Sequence, residues 1–528
     1  MLKASNTIWF RTVGVWFLFA GIFFMIHASI NGFWSNFDPY YHAKHSALMA
    51  ETGDWTLVRP WLSHHFFSYA PTDLWWGFHV MQGFFIKLFG IVWGTKLLMS
   101  MLAGAIYAGL YYFLKSLHVA KPLVWSIVLF LSSQYFAYRL LLERPFVLGI
   151  FLFMLAWWFA LKNKHLLLAM LGAVFVLFYE LGPVLLVMLC AVSVARYAHT
   201  RTFSLRPYGA LGAGLLLGYA LHPEALHYMY VSYVVLWRVL WLKFSGVDLR
   251  VGAEIQQDPF SEFLVSHAPL LIMFILTLAA YPVVLRALKS AEQKIVLTSL
   301  GLLSTFWFLA TLLIPRFSDF WTPFSWLFAA ASITYFSKTD EWQMARIFVK
   351  RMLGDTRLLR SFVVVVVSVL FLSRMAFLFT DIIAHNNDEF TLRFRQVNDW
   401  LLENTKQGDL VFYNNWSWWP IMFFYNDTNK YVTGMDPTLL YEYDSATYRA
   451  WRSIGEHGTV CFVDQWCAKV SSRAQLRQTV PVLRDVFGAS YLLMEKTNNI
   501  PPYSVFTAQP QAYEFVFESG PLVLFEIK

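Results

Sequence analysis

Charge is what this sequence has least of. Asp, Glu, Lys and Arg make up 14% of its 528 residues, against roughly 25% in a soluble chain of this size. Mean hydropathy is +0.49. That scarcity excludes an ordinary soluble globule and implies a polytopic α-helical membrane protein. Nucleic acid is excluded as a partner despite the net charge of +8. The surplus Lys and Arg fall in short loops between apolar runs, as cytoplasmic loops near anionic headgroups require. Cysteine is scarce too, with three residues. Cys190 lies in an apolar run and reads as packing. Cys461 and Cys467, in "CFVDQWC", lack the two further soft ligands of a zinc site and read better as a disulfide in an oxidising compartment. Internal repeats and low-complexity tracts are missing, and mid-span charges are almost missing. Transporters tend to show repeated halves and ionisable residues at the bilayer midplane, so a transporter or a flippase for lipid-linked sugars is the weaker alternative.

What the sequence does have is apolar length. "IWFRTVGVWFLFAGIFFMIHASI" is too long and too aromatic for a cleaved signal peptide and reads as a retained anchor. Basic loops, among them "KSLHVAK", "KNKH", "RYAHTRTFSLR" and "RALKSAEQK", are placed in the cytoplasm. Alternation then works only if residues 73–90, interrupted by Gly77, His79, Gly83 and Lys87, form an interfacial helix rather than a span. Spans follow at 9–30, 94–114, 122–138, 146–161, 165–179, 182–196, 208–222, 268–287, 295–314, 321–336 and 361–380, about 11–13 in all. The fifth and sixth are short and joined by "YELGP", where a break is expected and where Glu180 either touches substrate or caps a helix. The chain is thus a transmembrane domain, 1–380, with a first outer loop at 31–93, and a small extracytoplasmic α/β domain, 381–528. In the latter "LVFYNN", "KYVTGM", "GTVCFV", "ASYLLM" and "PLVLFEI" read as strands. The expected setting is the plasma (inner) membrane, multi-pass, with a cytoplasmic N-terminus and a periplasmic C-terminal domain.

Polar residues gather at the outer face. Asp38 follows the first span in "SNFDPYYHAKHSALMAETGDW", Glu143 and Arg144 stand in "LLERPF", and Arg316 and Asp319 stand in "PRFSDFWTP". Ionisable groups held at a membrane face by different helices mark a site, unless Glu143–Arg144 and Arg316–Asp319 are ion pairs that snorkel to water. His42, His45, His64 and His65 raise the question of zinc, but adjacent and i,i+3 histidines in an aromatic loop are expected to be hydrogen-bonded surface residues. Trp416, Trp418 and Trp419, in "NNWSWWPIMFFYND", either line an acceptor groove or cover a core, and the core is favoured.

The string "FDPYYHAKHSALMAETGDW" resembles the first outer loop of the oligosaccharyltransferase catalytic subunits and their archaeal counterparts. There an Asp precedes a helix that ends near a Gly. "FSYAPTDLWWGFHVMQGFFIKLFG" resembles that family's membrane-surface helix, and "PRFSDFWTP" resembles the Arg…Pro segment of GT-C lipid-phosphate-dependent transferases. The resemblance implies a GT-C-like glycosyltransferase, inverting, that moves a sugar or short glycan from a polyprenyl phosphate or diphosphate to an extracytoplasmic protein, lipid or polysaccharide. A non-catalytic GT-C-like binding protein is the other possibility it leaves. It makes Asp38 the catalytic carboxylate, either a base or a metal ligand, and Arg316 the donor-phosphate residue. Glu143 becomes a second carboxylate that shares a divalent cation (Mg2+ or Mn2+) with Asp38. His42, Arg144 and Asp319 are supporting residues, and Trp416, Trp418 and Trp419 lie on the acceptor side. Two departures stand out. "ERP" replaces the family's Asp-x-Asp or Glu-x-Asp string, and Pro420 stands where peptide-acting members carry the Asp of Trp-Trp-Asp.

Overall fold

Apolar stretches that cannot solvate their backbone in lipid must close their hydrogen bonds internally, and here every expected span is helical. A computed structural model of the protein describes residues 2–34, 37–57, 61–247, 249–252, 254–256, 259–344, 347, 356–386, 389–460 and 479–528. The apolar helices run Leu2–Ala28, Ile91–Ser116, Pro122–Ser132 with Gln134–Leu140, Phe146–Leu161, His165–Phe178, Leu185–Thr200, Arg206–Leu221, Phe260–Ala287, Ala291–Leu313, Ser318–Phe336 and Thr356–Asn386. Among the described residues six helices are long and apolar enough to cross a membrane, or seven if the bent pair is one span. Phe146–Leu161 and His165–Phe178 are shorter. The sharpest break falls in the third span rather than at the fifth and sixth. Pro122–Ser132 and Gln134–Leu140 meet at 89°, at the Ser132–Ser133 pair, a sequence that competes for backbone hydrogen bonds and favours kinks. "YELGP" forms a short 3-10 turn, Gly182–Val184.

The chain folds as two compact units, each built from three separate stretches of sequence. The first comprises Met1–Trp34, Thr95–Leu221 and Ala253–Asn386. Its helices expose apolar side chains such as Ile272, Leu276, Phe362, Val364 and Leu372, the surface that hydrocarbon solvates. Helix pairs close on small residues where water gives no driving force. A Cβ at Gly214 would stand 2.0 Å from the Ala169 carbonyl oxygen, and one at Gly218 2.7 Å from that of Ala173. The G-x-x-x-G face of Arg206–Leu221 therefore lies directly on the backbone of His165–Phe178.

The second unit comprises Ser35–Gly94, His222–Gly252 and Asn387–Lys528. Its sheet has strands β1 (Leu410–Tyr413), β2 (Lys430–Tyr431), β3 (Ala489–Glu495), β4 (Tyr513–Ser519) and β5 (Leu522–Ile527), in the order β2-β1-β3-β5-β4. Both β1 pairings are parallel, and β5 pairs antiparallel with β3 and β4. The edge strand β4 was not expected from the sequence. "GTVCFV" runs from Cys461 onward outside the described residues, as do Cys461 and Cys467, so their disulfide falls there too. The first outer loop belongs to this unit because Leu62 bridges Tyr431, while the Ser63 and His64 N–H groups donate to the carbonyls of Tyr431 and Val432 (2.9 and 3.0 Å). Within the loop, Trp76–Phe89 is a helix of 14 residues, too short to span. Cys190 is exposed on Leu185–Thr200 rather than packed inside.

Candidate active site

In the first unit the polar residues assemble around Arg139, which sequence inspection passed over. The 89° elbow carries it inward, and its side chain is 2% exposed. Nε–H and Nη2–H donate to the two Asp319 carboxylate oxygens (2.9 and 2.8 Å), a bidentate pair of the strong kind. Its Nη1–H donates to Glu254 Oε1 (2.7 Å), which also accepts from Arg144 Nη1–H (2.5 Å). Burial alone would raise the Glu254 carboxyl's pKa, but Arg139, Arg144 and Arg316 together hold it below the usual carboxylate range. The hydrogen-bonded pairs run across the sequence: Arg144 with Glu254, and Asp319 with Arg139.

Arg316 is the cation least consumed by partners. It lies in the turn Pro315–Phe317 between two helices, and its side chain remains 31% exposed. Tyr179 hydrogen-bonds its guanidinium, and Glu180 stands 4.0 Å from Nη2. The buried Nε–H has no acceptor. Glu180, left open between two roles by sequence, faces this guanidinium.

Glu143 is occupied elsewhere. It is fully buried with φ of 44°, a backbone region uncommon for a residue with a side chain. Both its oxygens accept the Trp34 N–H (3.0 Å each), and His27 Nε2 lies 3.5 Å away. Lys96, whose Nζ donates to the Ile30 carbonyl (2.8 Å), supplies the balancing charge. Glu143 is thus held by the Trp34 N–H, with His27 and Lys96 alongside, inside the first unit.

In the second unit Asp38 opens the Asp38–Thr52 helix, with Pro39 at the next position; Gly53 closes the helix at φ 70°. An acidic residue in the first turn and a left-handed Gly at the end are the terminal signals that such a helix needs. Asp38 is half-buried. His42 and His45, about one and two turns further along, are buried rather than on the surface. His42 Nδ1 meets His79 Nε2 (2.8 Å), His79 Nδ1 meets Asp73 Oδ2 (2.6 Å), and His45 Nε2 lies 3.6 Å from that same oxygen. Burial would raise the Asp73 pKa, but His79 and His45 outweigh it and bring it to about 2, while burial pushes His45 down to about 4. His64 and His65 serve elsewhere: His64 Nε2 meets the Phe487 carbonyl (3.0 Å), and His65 Nδ1 accepts the Phe67 N–H (3.2 Å). Asp73 and His79 were missed as partners; their one signal was a His inside an otherwise apolar helix.

The three tryptophans divide. Trp418 and Trp419 are buried in the core. Trp416, with an edge of Trp418, lines a cavity of about 650 Å³ together with Asn414, Asn415, Arg452 and Asn499, and the Trp416 Nε1–H donates to the Arg250 carbonyl (2.8 Å).

The helical bundle of the first unit and the small sheet of the second, with the long first loop attached to that sheet, are the parts of a GT-C fold, and this chain has that fold. Two solved proteins align with it over most of its length. The apo oligosaccharyltransferase of Archaeoglobus fulgidus aligns with a TM-score of 0.57 at 9% identity, over 94% of this chain and 71% of that one. The same enzyme in complex with Zn and sulfate aligns at 0.54 and 10%, over 96% and 73%. Apo ArnT from Cupriavidus metallidurans aligns at 0.52 and 11%, over 99% and 98%. No family model and no curated protein sequence matches the chain.

Proposed function

We propose that this protein is an inverting membrane glycosyltransferase that moves a sugar or short glycan from a polyprenyl phosphate or diphosphate to an acceptor outside the cytoplasm. The observation that carries the reading is the state of Arg316: a guanidinium 31% exposed, beside Arg139 and Arg144 that are paired with Asp319 and Glu254, with its buried Nε–H left without an acceptor. Attack at the anomeric carbon expels a phosphate, and charge develops on its oxygens. Arg316 neutralises that charge through charge-assisted hydrogen bonds. Arg139 and Arg144, spent on Asp319 and Glu254, position the cluster rather than bind the donor. Asp38 removes the proton from the acceptor nucleophile as general base. His42 supports the helix that Asp38 opens, and Trp416 with its cavity is the acceptor-side surface, where an indole face beside amide groups suits a sugar or a polar chain. Glu143 anchors Trp34, and no step is routed through a metal. The N-terminus faces the cytoplasm, and the residues after 380 lie outside it.

The test uses the full-length protein in detergent with a panel of polyprenyl-phosphate and polyprenyl-diphosphate sugars. Asp38→Asn is expected to abolish transfer while still binding donor. Arg316→Ala is expected to lower kcat/KM for donor roughly 10- to 150-fold, the loss of a hydrogen bond to a charged group. Near-wild-type transfer by either variant removes that residue from the proposed mechanism. Binding of lipid-linked sugar with no transfer to any acceptor favours a non-catalytic protein, and movement of the intact donor across vesicles favours a flippase.

A further inference from the structure

Two helices of the first outer loop are held unusually close. Gly83 faces Ser46, and a Cβ there would stand 2.9 Å from the Ser46 carbonyl oxygen; Ser46 Oγ also donates to Gln82 Oε1 (2.8 Å). Residues three and four apart share a helix face. His42, His45 and Ser46 therefore look across at His79, Gln82 and Gly83. Asp73, in the turn before the second helix, is fixed on both sides: its Oδ1 accepts the Trp75 N–H (3.0 Å), and its carbonyl meets His222 Nε2 (2.9 Å). That leaves Asp73 Oδ2 directed between His45 and His79.

His45 is the anomaly. It is 3% exposed, and although the Leu57 backbone lies beside its ring, neither ring nitrogen closes a hydrogen bond by distance and angle. A buried imidazole held only by looser contacts, with Asp73 Oδ2 at 3.6 Å, is costly and calls for an explanation. The ligating atoms of His45, Asp73 and His79 all lie within 4.8 Å of one another. We infer that His45 Nε2, Asp73 Oδ2 and His79 Nδ1 form a binding site for a transition-metal ion of the zinc class.

Two imidazoles and one carboxylate suit zinc and not Mg2+ or Ca2+, which take mainly oxygen ligands. Bond lengths of about 2.0–2.2 Å in a tetrahedron put ligands about 3.3 Å apart. The 3.6 Å gap to His45 already meets that spacing, and the 2.6 Å contact with His79 opens by less than 1 Å to reach it. His79 keeps its other nitrogen on His42 Nδ1, the outer partner that orients a ligating imidazole. The Tyr41 ring, with its centroid 5.6 Å from that of His45 and 5.5 Å from that of His79, closes one side. Bound there, the ion staples the Asp38–Thr52 helix to Trp76–Phe89. Its role is to fix the helix that Asp38 begins, and the site stands whether or not the protein transfers a sugar.

The test is elemental analysis of the full-length protein in detergent, loaded with ZnCl2 and desalted. About one zinc per chain is expected, and less than a tenth overturns the site. His45→Gln and Asp73→Asn are expected to lose the ion while eluting as monodisperse protein, His64→Gln to keep it, and His42→Phe to weaken affinity about 10- to 100-fold. Retention of zinc by both ligand variants overturns the assignment. Should those variants fail to fold, cobalt decides on the wild-type chain: intense visible bands of tetrahedral Co2+ support the site, and the weak bands of an octahedral ion overturn it.

Discussion

At the scale of the residue, the interior holds charges that survive only as sets. Removing one member of a buried pair leaves the other uncompensated, at a cost of roughly 3–5 kcal/mol. Arg139→Ala is expected to lower stability by about that much, because Asp319 is 2% exposed and loses both its guanidinium contacts. An unchanged melting temperature in detergent would show that the pair does not hold the cluster. A second residue makes a prediction about pH. Burial pushes fully buried His65 from 6.5 down to about 3. The unfolded chain therefore binds a proton below pH 6.5 that the folded chain refuses until about 3. Stability contributed by neutral His65 is present above pH 6.5 and falls through that window by roughly 1.4 kcal/mol per pH unit. His65→Asn keeps a side-chain acceptor for the Phe67 N–H and has no such proton, so its acid melting curve is expected to be flatter than that of the wild type over this window. Equal pH slopes for the two proteins would count against it.

Elements were legible wherever one physical pattern dominated. About 20 apolar residues suffice to cross a bilayer, so the spans could be read from composition, whereas the Asp38–Thr52 helix was expected only through the family resemblance, although its Asp-Pro start and Gly stop are local signals. Strand β4 was hidden because it is an edge strand: Glu514 and Glu518 point to solvent, and nothing in "YEFVFES" forces burial. The charged clusters were legible only as positions. Arg139 and Asp319 are 180 residues apart, and Arg139 reaches Asp319 through the helix break, which no local pattern encodes. The same holds for His45, Asp73 and His79, which come together only because Gly83 lets two helices touch. Close helix contact also yields a prediction in the membrane bundle. Gly214→Val places a side chain against the Ala169 carbonyl, where even a Cβ would come to 2.0 Å. It is expected to cost at least about 1–3 kcal/mol, as overpacking does, whereas Gly209→Ala, with nothing within 4 Å, is expected to be near neutral. Thermal unfolding of the two variants in detergent makes the comparison.

For the whole molecule, the likeness to the two solved enzymes extends over 94–99% of the chain at 9–11% identity. What persists at that distance is architecture, since hydrophobic pattern and backbone closure tolerate almost any apolar side chain. Orientation can be checked directly. In a variant without native cysteines, a single cysteine at Lys164 is expected to react with an impermeant maleimide only after cells are opened, and one at Gln511 to react in intact cells. The reverse pattern would invert the proposed topology. The elbow after Ser132 carries a less visible consequence. An extra alanine inserted just beyond it, before Tyr135, would turn the rest of that short segment by about 100° and swing the Arg139 guanidinium off both of its carboxylate partners. Every hydropathy plot of such a chain would look untouched, and it would still insert as before. In this protein, then, getting into the bilayer and wiring the interior are separable problems, and a lesion in the second can leave no trace in the first.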